Sequence, residues 1–134
     1  MVNCRLLPGH APKDVQATLA KVVADPQISI KANQDSTSGP ASPLRPDLLQ
    51  AVERVTRAMW PGVAVVPIMG TGATDGLYLR RAGIDTYGVS GLFEDMDDVR
   101  AHGRDERIGV KQFFDGNEFL YRLVKDLSGA PAAR

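Results

Sequence analysis

The stretch PDLLQAVERVTRAMWPGVAVVPIMG, residues 46–70, decides how the chain reads as a fold. Its first part carries Leu48, Val52, Val55 and Met59 at helical spacing, which predicts a helix with one apolar face. Pro46 suits the first helical position, where its missing N–H costs nothing. Trp60-Pro61-Gly62 ends the period. The second part, residues 63–69, is a continuous apolar run and predicts a strand buried on both faces, weakened in its middle by Pro67. A helix feeding a doubly buried strand points to an α/β layer with parallel strands.

Downstream the alternation continues. Thr74 or Asp75 is placed to cap a short helix carrying Leu77, Leu79 and Ala82. Residues 85–89 read as a strand and residues 90–103 as an irregular loop. From Gly109 the period returns: Val110, Phe113, Phe114, Leu120, Val124 and Leu127 mark a long amphipathic helix, ended by Gly129 and Pro131. Upstream, residues 34–45 are rich in Ser, Pro and Gly and read as a linker. Before it, residues 2–7 read as a strand closed by Pro8-Gly9. A helix starts at Pro12 with Val15, Leu19, Val22 and Val23 on one face, and residues 27–32 form a second strand. The expected fold class is therefore α/β, a small strand–helix–strand unit followed by a helix–strand alternation. In such layers active-site groups sit at the carboxyl ends of strands, so the loops at residues 70–75 and 90–102 are expected to face one crevice.

Composition narrows the chemistry. With 134 residues the chain has the size of one ordinary domain. Sixteen Lys and Arg balance 16 Asp and Glu, and a zero net charge argues against a nucleic-acid partner. A lone cysteine, Cys4, rules out a disulfide framework and a cysteine-rich zinc site, and reads as a small core residue. No apolar run approaches the ~20 residues that span a bilayer. The first residues are too few and too polar for a signal peptide, which leaves a cytoplasmic expectation.

Five groups of residues could carry chemistry. His102 reads as a metal ligand or as a solvated turn residue before a helix; a zinc needs three or four ligands, and the only other histidine, His10, is far off in the sequence. The acidic loop Glu94, Asp95, Asp97 and Asp98 has oxygens without calcium-loop spacing, and reads first as a solvated loop. Asp105 and Glu106 suit the cap of the following helix, and could equally support a neighbouring ligand. The turn of Gly72, Ala73, Thr74 and Asp75 reads as an anion site for a carboxylate or as a tight strand-to-helix turn, and it lacks the Gly-Lys-Ser/Thr of a nucleotide loop. Asn3 and Arg5 alternate onto one face of their strand, either to grip a carboxylate or to face solvent.

The segments VNCRLLPG, GATDGLYLRRAGIDTYGVSG and HGRDERIGVKQFFDGNEFLYRLV, in that order and at that spacing, resemble the C-terminal part of the zinc-dependent M-twenty peptidases. That family includes carboxypeptidases, aminoacylases, desuccinylases and dipeptidases. The resemblance implies the end of a lid domain at residues 1–45, linker included, and the last part of a metallopeptidase catalytic domain at residues 46–134. It implies that His102 is the last metal ligand of a two-zinc site. By the same resemblance Asn3 and Arg5 approach the substrate from the lid, and Gly72, Ala73 and Thr74 contact its carboxylate end. Asp75, Asp105 and Glu106 would support these groups. The sequence departs from many relatives at Leu77 and Tyr78, where Arg-Phe is common, so one arginine contact to substrate is lost or moved. The family's other ligands and its catalytic glutamate fall upstream of this chain. The implied protein is thus the C-terminal part of a hydrolase of peptide or N-acyl amide bonds, inactive without an N-terminal portion and able to dimerise through its lid. The alternative is a non-catalytic remnant or partner-binding module, with neither a nucleic-acid nor a membrane role in either case.

Overall fold

Proline and glycine set the helix limits in the computed structural model, which describes residues 2–7, 9–32, 39–70 and 72–129. Helix α1 (Pro12–Val23) opens on Pro12 and closes on Ala24, whose φ of 50° turns the chain out of the helix. Helix α2 (Pro46–Met59) opens on Pro46, with Asp47 in its first turn held by Arg45 Nε at 3.1 Å and Nη2 at 2.5 Å. Helix α3 (Gly76–Arg81) is short, and helix α4 (Val110–Ser128) runs between Gly109 and Gly129. On α4 the pairs Lys111–Asp115 and Glu118–Arg122 lie one turn apart and support the helix.

The α/β expectation is not met: the described residues hold these four helices and no strand. The segments at 2–7, 27–32, 63–69 and 85–89 are non-helical, but a strand exists only through ladder hydrogen bonds to a neighbour. The few of their backbone groups that are bonded go elsewhere. The Thr86 N–H donates to Ser42 Oγ, and the Ile28 and Val63 N–H groups close local turns onto Asp25 and Trp60 carbonyls. The run at 63–69, expected to be buried on both faces, instead leaves Val66 70% and Ile68 85% exposed. Without strands the argument for a crevice at their carboxyl ends lapses as well. Cys4, read as a core residue, is exposed. Pro8, part of the linker (34–38) and the tail from residue 130 lie outside the described residues.

The chain divides into two units, Met1–Pro43 with Met69–Tyr87, and Leu44–Ile68 with Gly88–Arg134. The first holds α1 and α3 and is tied by polar straps. Ser42 Oγ donates to the Thr86 carbonyl at 2.8 Å and accepts from the Thr86 N–H at 2.9 Å. Tyr87 Oη donates to the Pro43 carbonyl at 2.6 Å, Arg80 Nε to that of Pro40 at 3.1 Å, and Gln16 Nε2 to that of Ile30 at 2.8 Å.

The second unit holds α2 packed on α4 around a core of Ala51, Val55, Phe119 and Leu123, flanked by Val52, Met59, Trp60 and Val89. Trp60 meets Phe93 edge-on at 4.8 Å and Phe119 at 5.6 Å between ring centres. The loop that carries Gly91 and Leu92 lies on α4: a Cβ on Gly116 would fall 2.3 Å from Leu92 Cδ2, and one on Gly91 2.5 Å from the Phe119 ring. The buried face of α4 is Gly116, Phe119 and Leu123. The face expected to be buried, Val110, Phe113, Phe114, Leu120, Val124 and Leu127, is exposed. Helix α4 is apolar on two sides, and α2 covers one of them.

Candidate functional site

The second unit presents His102 on a loop built from charges. The segment between Val99 and Ile108 carries few apolar side chains, so polar contacts must hold it. The backbone folds twice: the Gly103 N–H donates to the Arg100 carbonyl at 3.0 Å, and the Glu106 N–H to the Gly103 carbonyl at 3.3 Å. Inside the first turn His102 takes φ of 64°, a left-handed conformation that costs a residue with a Cβ about 1–2 kcal/mol. Histidine is among the side chains enriched there, though still uncommon. Glu106 Oε1 accepts the His102 backbone N–H at 3.1 Å and helps hold this conformation.

Around the turn runs a string of ion pairs. Arg100 Nε donates to Asp98 Oδ1 at 2.5 Å, and Arg100 Nη1 to Asp105 Oδ2 at 2.5 Å. Arg107 reaches Asp98 Oδ2 from Nη2 at 2.7 Å and from Nε at 3.1 Å. The Arg107 and Arg100 guanidinium groups hold the Asp98 carboxyl below the ordinary aspartate value, against a smaller opposing effect of burial. All of these side chains keep substantial solvent contact, so each pair is individually weak.

This corrects two expectations. Asp105 and Glu106 do not cap α4; Gly109 stands at the cap position and no side chain bonds there. Their carboxylates turn back to Arg100 and to the His102 amide instead. The acidic loop is not merely solvated, since Asp98 gathers two arginines. The signal for this closed loop in the sequence is that Arg100 and Arg107 flank the histidine with Asp98 within reach of both.

The His102 imidazole is exposed and has no hydrogen-bond partner among the described residues. No group of three His, Cys, Asp or Glu side chains gathers among those residues. They therefore do not by themselves fit a metal ion, for which His102 stands as a single potential ligand.

The other predicted residues lie in the first unit. Gly72, Ala73, Thr74 and Asp75 are exposed and lead into α3. The Thr74 carbonyl accepts the Leu77 N–H at 3.2 Å, and that of Asp75 accepts the Tyr78 N–H at 3.0 Å, so these amides close the helix. Gly76 is buried, and a Cβ there would meet Arg80 Nη1 at 2.8 Å, Thr74 Oγ1 at 3.1 Å and Thr86 Cγ2 at 3.2 Å, so a side chain would require Arg80 to move. Asn3 and Arg5 are exposed without a bonded partner among the described residues. His10 closes a turn through its N–H to the Leu7 carbonyl at 3.2 Å.

At the level of sequence the chain resembles known proteins. The model of peptidase family M20/M25/M40 matches residues 8–126, a span that includes the 72–75 turn and the His102 loop but not Asn3 or Arg5. A curated protein of Dictyostelium discoideum described as a probable carboxypeptidase S-like 2 is 24% identical over 127 residues. That match covers 93% of this chain and 24% of the relative's length. No solved structure matches the chain.

Proposed function

The chain belongs to peptidase family M20/M25/M40, and we propose that it forms the C-terminal portion of a hydrolase of peptide or N-acyl amide bonds. The observation that carries this reading is the His102 loop: an exposed imidazole on a turn whose backbone is fixed by carboxylates, inside the matched span. In the proposal His102 supplies one ligand to a zinc ion whose remaining ligands come from an N-terminal portion. Asp105 and Glu106 hold the loop that carries it. Gly72, Ala73 and Thr74 receive the carboxylate end of a small peptide or N-acyl amino acid, with Asp75 supporting that turn. Asn3 and Arg5 reach the substrate from residues 1–45, the end of a lid through which a homodimer can form, and residues 46–134 close the catalytic domain.

A second reading, a non-catalytic module that binds a partner, is favoured by the uncovered face of α4, where Val110 is 73%, Phe114 65% and Val124 62% exposed. One experiment separates the two. The coding DNA upstream of Met1 is read, and the encoded protein is assayed for release of amino acids from N-acyl amino acids and dipeptides. An in-frame continuation with a His-x-Asp and a Glu-Glu pair, and activity abolished by His102→Ala, supports the hydrolase. A clean start at Met1 favours the module. Stoichiometric tight binding of two zinc ions by the 134-residue chain alone would overturn the shared-ligand reading.

A further inference from the structure

We propose that Asp98 is a positioning residue for His102, acting through Arg100 and Arg107 without touching the imidazole. The purpose assigned to it rests on the reading of His102 above; the geometry is independent of that reading. Asp98 precedes the histidine by four positions, and its two oxygens take different arginines. Oδ1 takes Arg100, at the entry to the His102 turn, and Oδ2 takes Arg107, just past its exit. One carboxylate therefore joins the two ends of the loop. Arg100 carries the tie onward to Asp105 on the far side of the turn. Glu106, between Asp105 and Arg107, then meets the His102 amide. Every residue that fixes the left-handed backbone of His102 thus lies inside a ring closed at Asp98.

Within the acidic run at residues 94–98, Asp98 alone pairs with these arginines among the described residues, while Asp105 shares Arg100 from the far side of the turn. Asp95 Oδ1 is occupied by the Asp97 N–H at 2.9 Å, and the Asp98 N–H itself donates to the Asp95 carbonyl at 3.1 Å, which fixes the approach of the Asp98 side chain. Asp98 is also the most shielded member of the string, with 35% of its side chain exposed against 40% for Arg100 and 58% for Arg107 and Asp105. A group that must meet a ligand in one orientation gains from a backbone set beforehand, and at His102 that setting opposes the local preference of the chain.

The test uses the 134-residue chain at micromolar concentration and reads hydrogen–deuterium exchange in the peptide spanning residues 98–109 by mass spectrometry. Four proteins are compared: wild type, Asp98→Asn, Asp98→Glu, and Glu118→Gln, which removes an ion pair of similar exposure on α4. Asp98→Asn is expected to speed exchange at the His102, Gly103 and Glu106 amides about fivefold, the upper end for exposed pairs acting together. Asp98→Glu restores most of the protection, and Glu118→Gln leaves it at the wild-type value. The thermal midpoint of the α2–α4 core is unchanged in all four. Unaltered exchange in Asp98→Asn overturns the proposal, as does an equal acceleration in Glu118→Gln or a failure of Asp98→Glu to restore. Failure of the zinc-ligand reading shows instead as activity that survives His102→Ala, and leaves these exchange rates where they are.

Discussion

The two units of the chain are held by different forces. In Leu44–Ile68 with Gly88–Arg134, aromatic and aliphatic side chains close over one another between α2 and α4. In Met1–Pro43 with Met69–Tyr87, α1 has no buried residue, and the long-range ties among the described residues include hydrogen bonds from Ser42, Tyr87, Arg80 and Gln16. A hydrophobic core is non-directional and grows with area, at about 25 cal/mol per Å2 of apolar surface buried. A hydrogen bond is directional but contributes only about 0.5–1.5 kcal/mol net. Each unit is therefore vulnerable in its own way: the second to lost volume, the first to lost geometry.

The strongest way to break this contrast is Phe119→Ala. Phe119 is 2% exposed and touches Trp60 and the Gly91 backbone, so its loss should cost about 3–5 kcal/mol and collapse the helical circular dichroism of α2 and α4 at a lower temperature. Next comes Gly91→Ala. A Cβ there meets an immobile ring at 2.5 Å, on a residue with φ of 64°, and should cost about 1–3 kcal/mol in a urea titration. If either change leaves unfolding untouched, the core is not what holds the second unit. In the first unit, Ser42→Ala removes both bonds to Thr86 and should destabilise by about 1–2 kcal/mol, read as faster exchange of the Thr86 amide with no change in the α2–α4 transition. A global loss of stability from Ser42→Ala would erase the distinction between the units.

The smallest effect is a pH response of the His102 loop. The Asp98 carboxyl is depressed below 3.8 by Arg107 first and Arg100 second. A depressed carboxylate contributes order that is present above the ordinary value and is lost as pH falls through the depressed one. Protection of the His102 and Glu106 amides, corrected for intrinsic exchange, should hold from neutral pH to about 4 and decline below it. Asp98→Asn should reduce that decline, the remainder belonging to the Glu106 and Asp105 carboxylates. A loop that opens well above pH 4 would point to a group other than Asp98.

Much of the helical structure was legible because its punctuation is local. Pro12, Pro46 and Gly129 mark ends that need no knowledge of the rest of the chain, and α2 has the predicted limits. The strands were not legible, because an apolar run such as residues 63–69 fixes a tendency while a strand requires a partner. The buried face of α4 was missed for a related reason. Both Phe113-Phe114 and Phe119-Leu123 lie at helical spacing, and only the position of α2 decides between them. At the candidate site, His102 stood out through its setting in the motif. Asp98 did not, since a carboxylate in an acidic run looks solvated until the chain brings Arg100 and Arg107 to it.

Gly116 has a bearing on that loop as well. A glycine inside a helix weakens it by roughly 1 kcal/mol relative to alanine, yet this one forms a notch that Leu92 fills. A notch and its peg favour an angle: turning α4 about its axis would have to displace Leu92, which is itself 39% exposed. The same chain runs on from Leu92 through Asp95 to Asp98, only six residues from the peg to the ring-closing carboxylate. The helix thereby offers a seat to the chain that leads into the loop. A larger side chain at position 116 would be felt first as a shift in where the Asp98 segment begins, before any loss of helix.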